Sequence, residues 1–214
     1  WHLFEEAVQA GVRIEKIFAL ESYRDQLAAF PQTVWVSEEI LRDLADTQTP
    51  QGIVAVIQKE EVGLPDFSQG KFLFLEDVQD PGNVGTMIRT ADAAGFTGVI
   101  VSDKSADIYS LKTLRSMQGS HFHLPIYRMS LTSFVEEAKK SNLPILATTL
   151  SKESKDYREL SPLENFALVM GNEGQGISSV MAESADQLVH IGMKGRAESL
   201  NVAVAAGILM FYFS

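Results

Sequence analysis

The 214-residue chain contains no cysteine. That absence excludes disulfides, thiolate metal sites and a thiol nucleophile, and it fits a reducing compartment, so a cytoplasmic location is expected. Long hydrophobic runs are lacking too. A membrane-spanning helix needs roughly 20 consecutive apolar residues; the nearest run, at the C-terminus, is interrupted by Asn201 and is too short beyond it. No membrane partner is expected. Positive charge is scarce: 18 Lys and Arg stand against 28 Asp and Glu, a net charge of -10. Nonspecific nucleic-acid binding ordinarily needs the opposite balance. Any RNA partner must therefore be held by a local basic patch, by a segment preceding Trp1, or by a groove between two copies. Internal repeats and low-complexity segments are absent as well.

What is present is an ordinary globular composition, 45% hydrophobic and 21% charged. The chain opens on Trp1, and HLFEEAVQAG reads as a helix already under way, so an N-terminal piece is expected to precede it. Residues 1–60 alternate helix and strand. EEAVQAG ends at Gly11, VRIEKIFAL is a strand, and SYRDQLAAF is a helix closed by Pro31. TVWVS is a strand whose Ser37 caps the helix EEILRDLAD; TPQG is a turn, and IVAVIQK is a buried strand. These make a small α/β domain, followed by a linker at 61–70 and a second domain at 71–214.

The second domain is expected to be α/β, with a parallel sheet covered on both faces. Its strands are KFLFLED, GVIVS, HLPIYR, PILATTL, FALVMG and QLVHIGM. Helical stretches separate them: 83–95, 110–119, 131–141, 177–184 and the last apolar run. Such sheets bind ligands beyond the carboxyl ends of their strands. Three polar turns follow strands and so fall at that end.

DPGNVGTMIRT (80–90) fails both the GxGxxG and the GxxxxGK fingerprints. It places Asn83 at a helix start, with Arg89 over one and a half turns further on. Asn83 can cap the helix or bind a hydroxyl, and Arg89 offers a rigid donor fork suited to phosphate. A capping Asn and a surface Arg fit equally well. LVMGNEGQGIS (168–178) packs three glycines around Glu173, permitting close backbone approach to a ligand. A plain strand–helix turn, with an acid favourable near a helix N-terminus, is the alternative. IGMKGRAESLNVAVAAGILMFY (191–212) passes from a strand end to an apolar helix, with Ser199 expected as N-cap and Asn201 beside it. That helix is apolar all round and must be covered on every side.

In this order and spacing the three turns resemble the SpoU/TrmH family of RNA ribose 2′-O-methyltransferases, within the SPOUT superfamily. The likeness spans essentially the whole chain: NVGTMIR, MGNEGQGI and IGMKGRAESLNVAVAAGI match the family's three motifs, and residues 1–60 resemble the small RNA-binding α/β domain that many members carry. The resemblance implies a deep trefoil knot, an exception to the rule against knots, and a homodimer. It implies S-adenosylmethionine as cofactor, held by Gly171, Ile191 and Leu200, with Met193, Thr148 and Thr149 as further contacts. Arg89 is implied as the main catalytic residue; a guanidinium is too weak a base to take a proton, so it would act as clamp and electrostatic stabiliser. Asn83, Glu173, Ser199 and Asn201 would orient Arg89 and the ribose. Arg89, Lys112, Arg115, Lys194 and Arg196 are the candidate RNA contacts. Large-subunit ribosomal RNA is the expected substrate and transfer RNA the alternative.

His121 and His123 stand two apart in GSHFHLP and would share one face of a strand. No third ligand accompanies them, so no metal is expected. Two other classes compete with the enzyme. One is an RNA-binding protein that has kept the fold and lost its chemistry, against which Asn83, Arg89, Glu173 and Asn201 all stand. The other is a nucleotide-dependent oxidoreductase, disfavoured by the missing fingerprint.

Overall fold

The computed structural model describes residues 1–45, 49–59 and 62–214. The chain divides into two compact units, Trp1–Glu61 and Val62–Ser214. The first contains α1 (His2–Gln9), β1 (Ile14–Ala19), β2 (Thr33–Trp35), α2 (Glu38–Ala45) and β3 (Ile53–Ile57). β1 lies between β2, parallel to it, and β3, antiparallel to it. Ile17, Ala19 and Leu27 are fully covered. The Ile40 N–H reaches Ser37 Oγ at 3.4 Å, so Ser37 sits where a cap was expected. Asp46, the expected last residue of that helix, and Glu60 and Glu61 lie outside the described residues.

Two expectations for this unit are corrected. Residues 22–30 do not form a helix. One 3₁₀ turn at Glu21–Tyr23 runs into successive turns, with the Arg24 N–H on the Glu21 carbonyl, Leu27 N–H on Tyr23 and Phe30 N–H on Leu27 in place of a continuous helical ladder. Tyr23, Leu27 and Phe30 still reach the core. β3 is not buried: its residues are half-covered and Val56 is exposed, since the strand pairs only with β1 at the sheet edge.

The second unit contains β4 (Lys71–Leu75), α3 (Pro81–Ala93), β5 (Gly98–Val101), α4 (Leu111–Met117), β6 (Ile126–Arg128), α5 (Leu131–Lys140), β7 (Ile145–Thr148), β8 (Lys155–Asp156), β9 (Phe166–Met170), α6 (Ser179–Ser184), β10 (Gln187–His190) and α7 (Val202–Phe213). Its seven strands run β6-β5-β4-β9-β7-β10-β8, and every pairing is parallel. Strand side chains alternate between faces. Leu73, Leu75, Val99 and Leu168 meet α3 and α7 on one side; Phe72, Phe74, Ile100 and Val169 meet α5 and α6 on the other. Phe74 stacks on Phe134 with ring centroids 4.2 Å apart. Each such fully buried side chain contributes roughly 1.5–3 kcal/mol. Both faces are covered, as the unbroken apolar strands require.

Helices close on the sheet through specific contacts. A Cβ on Gly85 would lie 2.5 Å from Ser116 Cβ and 2.6 Å from the Thr113 carbonyl oxygen, so this glycine is what lets α4 approach α3. α7 buries Ala203, Ala206, Leu209, Met210 and Phe213, while Val204, Ile208 and Phe211 remain exposed. Within the chain, then, the last helix is covered on one side only. No helix among the described residues is long and apolar enough to cross a membrane.

The pair His121 and His123 is also corrected. Residues 120–122 form a 3₁₀ turn and β6 starts only at Ile126, so no strand face aligns the two rings. His123 Nδ1 lies 2.8 Å from Asp92 Oδ2, and His121 packs at a tilt against Phe122 with its Nδ1 buried and unpartnered. Burial, helped by the charge of His123, pushes the His121 pKa down to about 4. The unfolded chain therefore binds this proton first. Stability from neutral His121 is full above the ordinary value of 6.5 and is lost as pH falls from there towards about 4. We expect His121→Phe to flatten this part of the decline, measured as urea midpoints between those two pH values.

Candidate active site

Four neighbouring strands, β4, β9, β7 and β10, end side by side, and three of them run into the polar turns. At the end of β4 the chain enters α3 through Asp80-Pro81. Asp80 is the N-cap, accepting the Asn83 backbone N–H at 2.9 Å, and Pro81 fills a first-turn position that needs no donor. Asn83 therefore does not cap the helix, which frees its carboxamide. Asp80 also binds Lys112 Nζ at 2.8 Å. That ion pair, with the Asn83 N–H, holds the Asp80 carboxyl below its usual range.

The turn after β9 is folded on itself. Asn172 and Gly176 exchange two backbone hydrogen bonds, and Asn172 Oδ1 accepts from the N–H groups of Gly174 and Gln175. A Cβ on Gly171 would meet the Gly176 carbonyl carbon at 2.3 Å, so the tight return needs glycine there. The turn presents Glu173 to the start of α3. Its carboxylate accepts from the backbone N–H groups of Gln79 at 3.2 Å and Asp80 at 3.1 Å, and from Asn83 Nδ2 at 3.1 Å. Partial burial alone would raise the Glu173 pKa, but the Asn83 amide and the backbone donors outweigh it and hold it below the ordinary 4.5.

The third turn supplies the other end of this chain of bonds. Asn201, not Ser199, is the N-cap of α7: its Oδ1 accepts from Ala203 N–H at 2.9 Å and from Val204 N–H at 3.3 Å. The oxygen thus faces the helix, and Nδ2 is left to donate to Asn83 Oδ1 at 3.0 Å. This fixes the direction of the network. Protons point from α7 through Asn201 and Asn83 to the Glu173 carboxylate. An Asn suits the middle position because its carboxamide both donates and accepts. Ser199 makes no cap and lies exposed a short way back along the chain.

A pocket opens beside these bonds. Thr148, Thr149, Gly171, Ile191, Met193 and Leu200 all line it, as do Glu173 and Ser199. Apolar residues of α7, Val202, Ala205 and Leu209, form its floor. The other candidates lie outside. Arg89 sits on the exposed face of α3 and does not line the pocket. Arg115 is exposed on α4, the helix that carries Lys112, and Lys194 and Arg196 are exposed between β10 and α7. The structure thus joins Asn83, Glu173 and Asn201 directly and sets Ser199 beside them. Sequence reasoning passed over Asp80 and Asn172. Asp80 could have been found from the Asp-Pro pair, a standard helix opening; nothing local marks Asn172. Among the described residues no cluster of metal-ligating side chains forms. A hollow of about 440 Å³ on the first unit, lined by Trp1, Phe4 and Phe30, holds none of the turns.

Comparison with known proteins bears on the same segments. Residues 70–211 match the model of the SpoU rRNA Methylase family, and residues 1–62 match the model described as RNA 2'-O ribose methyltransferase substrate binding. The chain is 42% identical over 213 residues to the 23S rRNA (guanosine(2553)-2'-O)-methyltransferase RlmP of Bacillus subtilis, covering 99% of this chain and 85% of that protein. Its fold is similar to an AdoMet-bound rRNA methyltransferase from Sinorhizobium meliloti, with TM-score 0.87, 32% identity, and 99% and 84% of the two chains covered. It is also similar to the SpoU methyltransferase AviRb of Streptomyces viridochromogenes in complex with AdoMet, with TM-score 0.83, 28% identity, and 99% and 86% covered.

The hydrogen-bond direction makes a prediction. Removing the Asn83 amide should raise the Glu173 pKa towards its ordinary value. Carboxyl ¹³C titration of Asn83→Ala against the parent checks this, and an unchanged Glu173 titration would refute the assigned bond.

Proposed function

The chain belongs to the SpoU rRNA methylase family, and from that membership we propose that it is an S-adenosylmethionine-dependent enzyme methylating a ribose 2′-hydroxyl in large-subunit (23S) ribosomal RNA. The observation that carries the proposal is the bonding of all three polar turns to one another, through Glu173, Asn83 and Asn201, at the mouth of one pocket. A similarity over nearly the full chain to one 23S rRNA 2′-O-methyltransferase supports the substrate.

The pocket suits such a cofactor. Ile191, Leu200, Val202 and Leu209 offer apolar walls to a planar base, and Gly171 and Glu173 line the same pocket. Gly171, Ile191 and Leu200 hold the cofactor, with Met193, Thr148 and Thr149 around them. Bound S-adenosylmethionine supplies an activated methyl group and a neutral thioether leaving group. The chain's own residues supply placement. Arg89 clamps the RNA phosphate beside the target and stabilises negative charge as it develops on the attacking 2′-oxygen. Asn83 and Asn201, locked by their mutual bond, and Ser199 at the rim position the ribose. Arg115, Lys194 and Arg196 meet neighbouring phosphates; Lys112 does so while tied to Asp80, as a local basic patch on an acidic chain. Residues 1–60 form the substrate-binding domain.

The active form is a homodimer. Val204, Ile208 and Phe211 form an exposed apolar stripe on α7 at helical spacing, and a second copy covers it. The C-terminal segment is threaded as a deep trefoil knot, and the enzyme works in the cytoplasm.

Arg89→Ala should lower tritiated methyl transfer to a 23S rRNA transcript by about a hundredfold or more. Calorimetry should show S-adenosylmethionine binding retained. Transfer at the parent rate would overturn the role given to Arg89.

A further inference from the structure

β4 is followed by two consecutive acids, Glu76 and Asp77, that take no place in the site described above. Asp77 has φ of 55°, in the left-handed region that side chains other than Gly, Asn and Asp seldom adopt. Among the described residues two other non-glycine positions share it, Gln118 and Asn142. Both follow helices, where a left-handed residue is an ordinary stop. Asp77 follows a strand, so no helix end accounts for its conformation.

Its surroundings do. The Asp77 N–H donates to Ser102 Oγ at 2.8 Å, and Ser102 Oγ donates to Asp77 Oδ1 at 2.6 Å. Ser102 is itself buried at the end of β5. This two-way anchor rotates the backbone so that the Asp77 carbonyl accepts from Asn172 Nδ2 at 2.8 Å. Asn172 Oδ1 is thereby left facing the Gly174 and Gln175 N–H groups, the bonds that shape the glycine turn. Glu76 acts at the other end of the same turn. Its side chain is buried, and Oε2 accepts the Ser178 backbone N–H at 3.2 Å where α6 begins. One residue grips the turn at Asn172 and its neighbour grips it at Ser178.

We infer that Asp77, anchored by Ser102 and assisted by Glu76, is a positioning residue that sets the 171–178 turn and with it the cofactor-facing wall of the pocket. Asp77 does not line the pocket; it acts through Asn172, which does. Local strain of this kind persists where surrounding structure over-determines it, and it collects at functional sites. The cofactor arm of the test rests on the proposed function, and the exchange arm does not.

The test uses the full chain with Asp77→Gly and Asp77→Asn. Glycine adopts the same φ readily, so the fold and the backbone N–H bond to Ser102 Oγ are kept while the carboxylate half of the Ser102 anchor is lost. Asparagine tolerates the conformation and keeps an oxygen for Ser102. By amide hydrogen exchange, Asp77→Gly should lose protection at Gly174, Gln175 and Gly176 while the strands keep theirs; Asp77→Asn should restore it. By calorimetry with S-adenosylmethionine, Asp77→Gly should raise Kd roughly three- to tenfold, the loss of about one hydrogen bond, and Asp77→Asn should stay near the parent. Unchanged protection in Asp77→Gly overturns the inference, as does a general loss spread over the unit. A parent that binds no S-adenosylmethionine overturns the proposed function instead, and the exchange result still decides the role of Asp77.

Discussion

Everything in the candidate site depends on one chain of hydrogen bonds, from the first N–H groups of α7 through Asn201 and Asn83 to the Glu173 carboxylate. Three segments far apart in sequence meet there, at separations of 90 and 118 residues. The polarity is set at one end, because the helix cap claims the Asn201 oxygen, and it is received at the other by an acceptor with no proton to give. A carboxylate takes such bonds more strongly than a neutral acceptor. The two carboxamides are thus fixed in orientation, and a polar surface is held ready beside an apolar pocket. Preorganisation of this kind is what charge stabilisation in a reaction requires.

The sheet makes that meeting possible. The order β4-β9-β7-β10 brings the ends of the three turn-bearing strands, β4, β9 and β10, to one end of the sheet in their chain order, with β7 inserted between β9 and β10. Glycine then removes the remaining distance. Gly171 allows the return at Gly176, and Gly85 allows α4, with Lys112, to lie against α3 and reach Asp80. Glu76 and Asp77 grip the second turn from β4, so the strand that starts the unit also sets the wall of its pocket. The exposed stripe of α7 is the part of this arrangement that the single chain leaves uncovered.

Much of this was legible in the sequence. The apolar strands, their alternation with helices and the three turns come from local pattern, and the strands at 71, 98, 144, 166 and 187 lie where that pattern put them. Local pattern failed where tertiary contacts decide. Ser199 has cap chemistry, yet Asn201 holds the cap because its amide is also bonded to Asn83 across the unit. β8 is two polar residues with no apolar signal, paired with β10, and Asp156 there accepts the Gly192 N–H at 3.1 Å. Residues 22–30 carry helical spacing, yet their backbone bonds are those of successive turns. Asp77 shows nothing in sequence that announces its left-handed backbone; that conformation comes from Ser102, 25 residues away.

The chemistry proposed for the site asks the chain for a fixed phosphate clamp, a fixed ribose and an apolar seat for the cofactor, with the 2′-hydroxyl proton leaving as the oxygen–methyl bond forms. All of it presupposes that Asn83 and Asn201 act as one unit. A double-mutant cycle with Asn83→Ala, Asn201→Ala and the pair, read as S-adenosylmethionine affinity and as methyl transfer to 23S rRNA, measures that most directly. Residues in contact within one network show coupling of roughly 0.5–3 kcal/mol, and coupling of that size is predicted, the double variant losing little more than either single one. Losses that simply add would contradict the account.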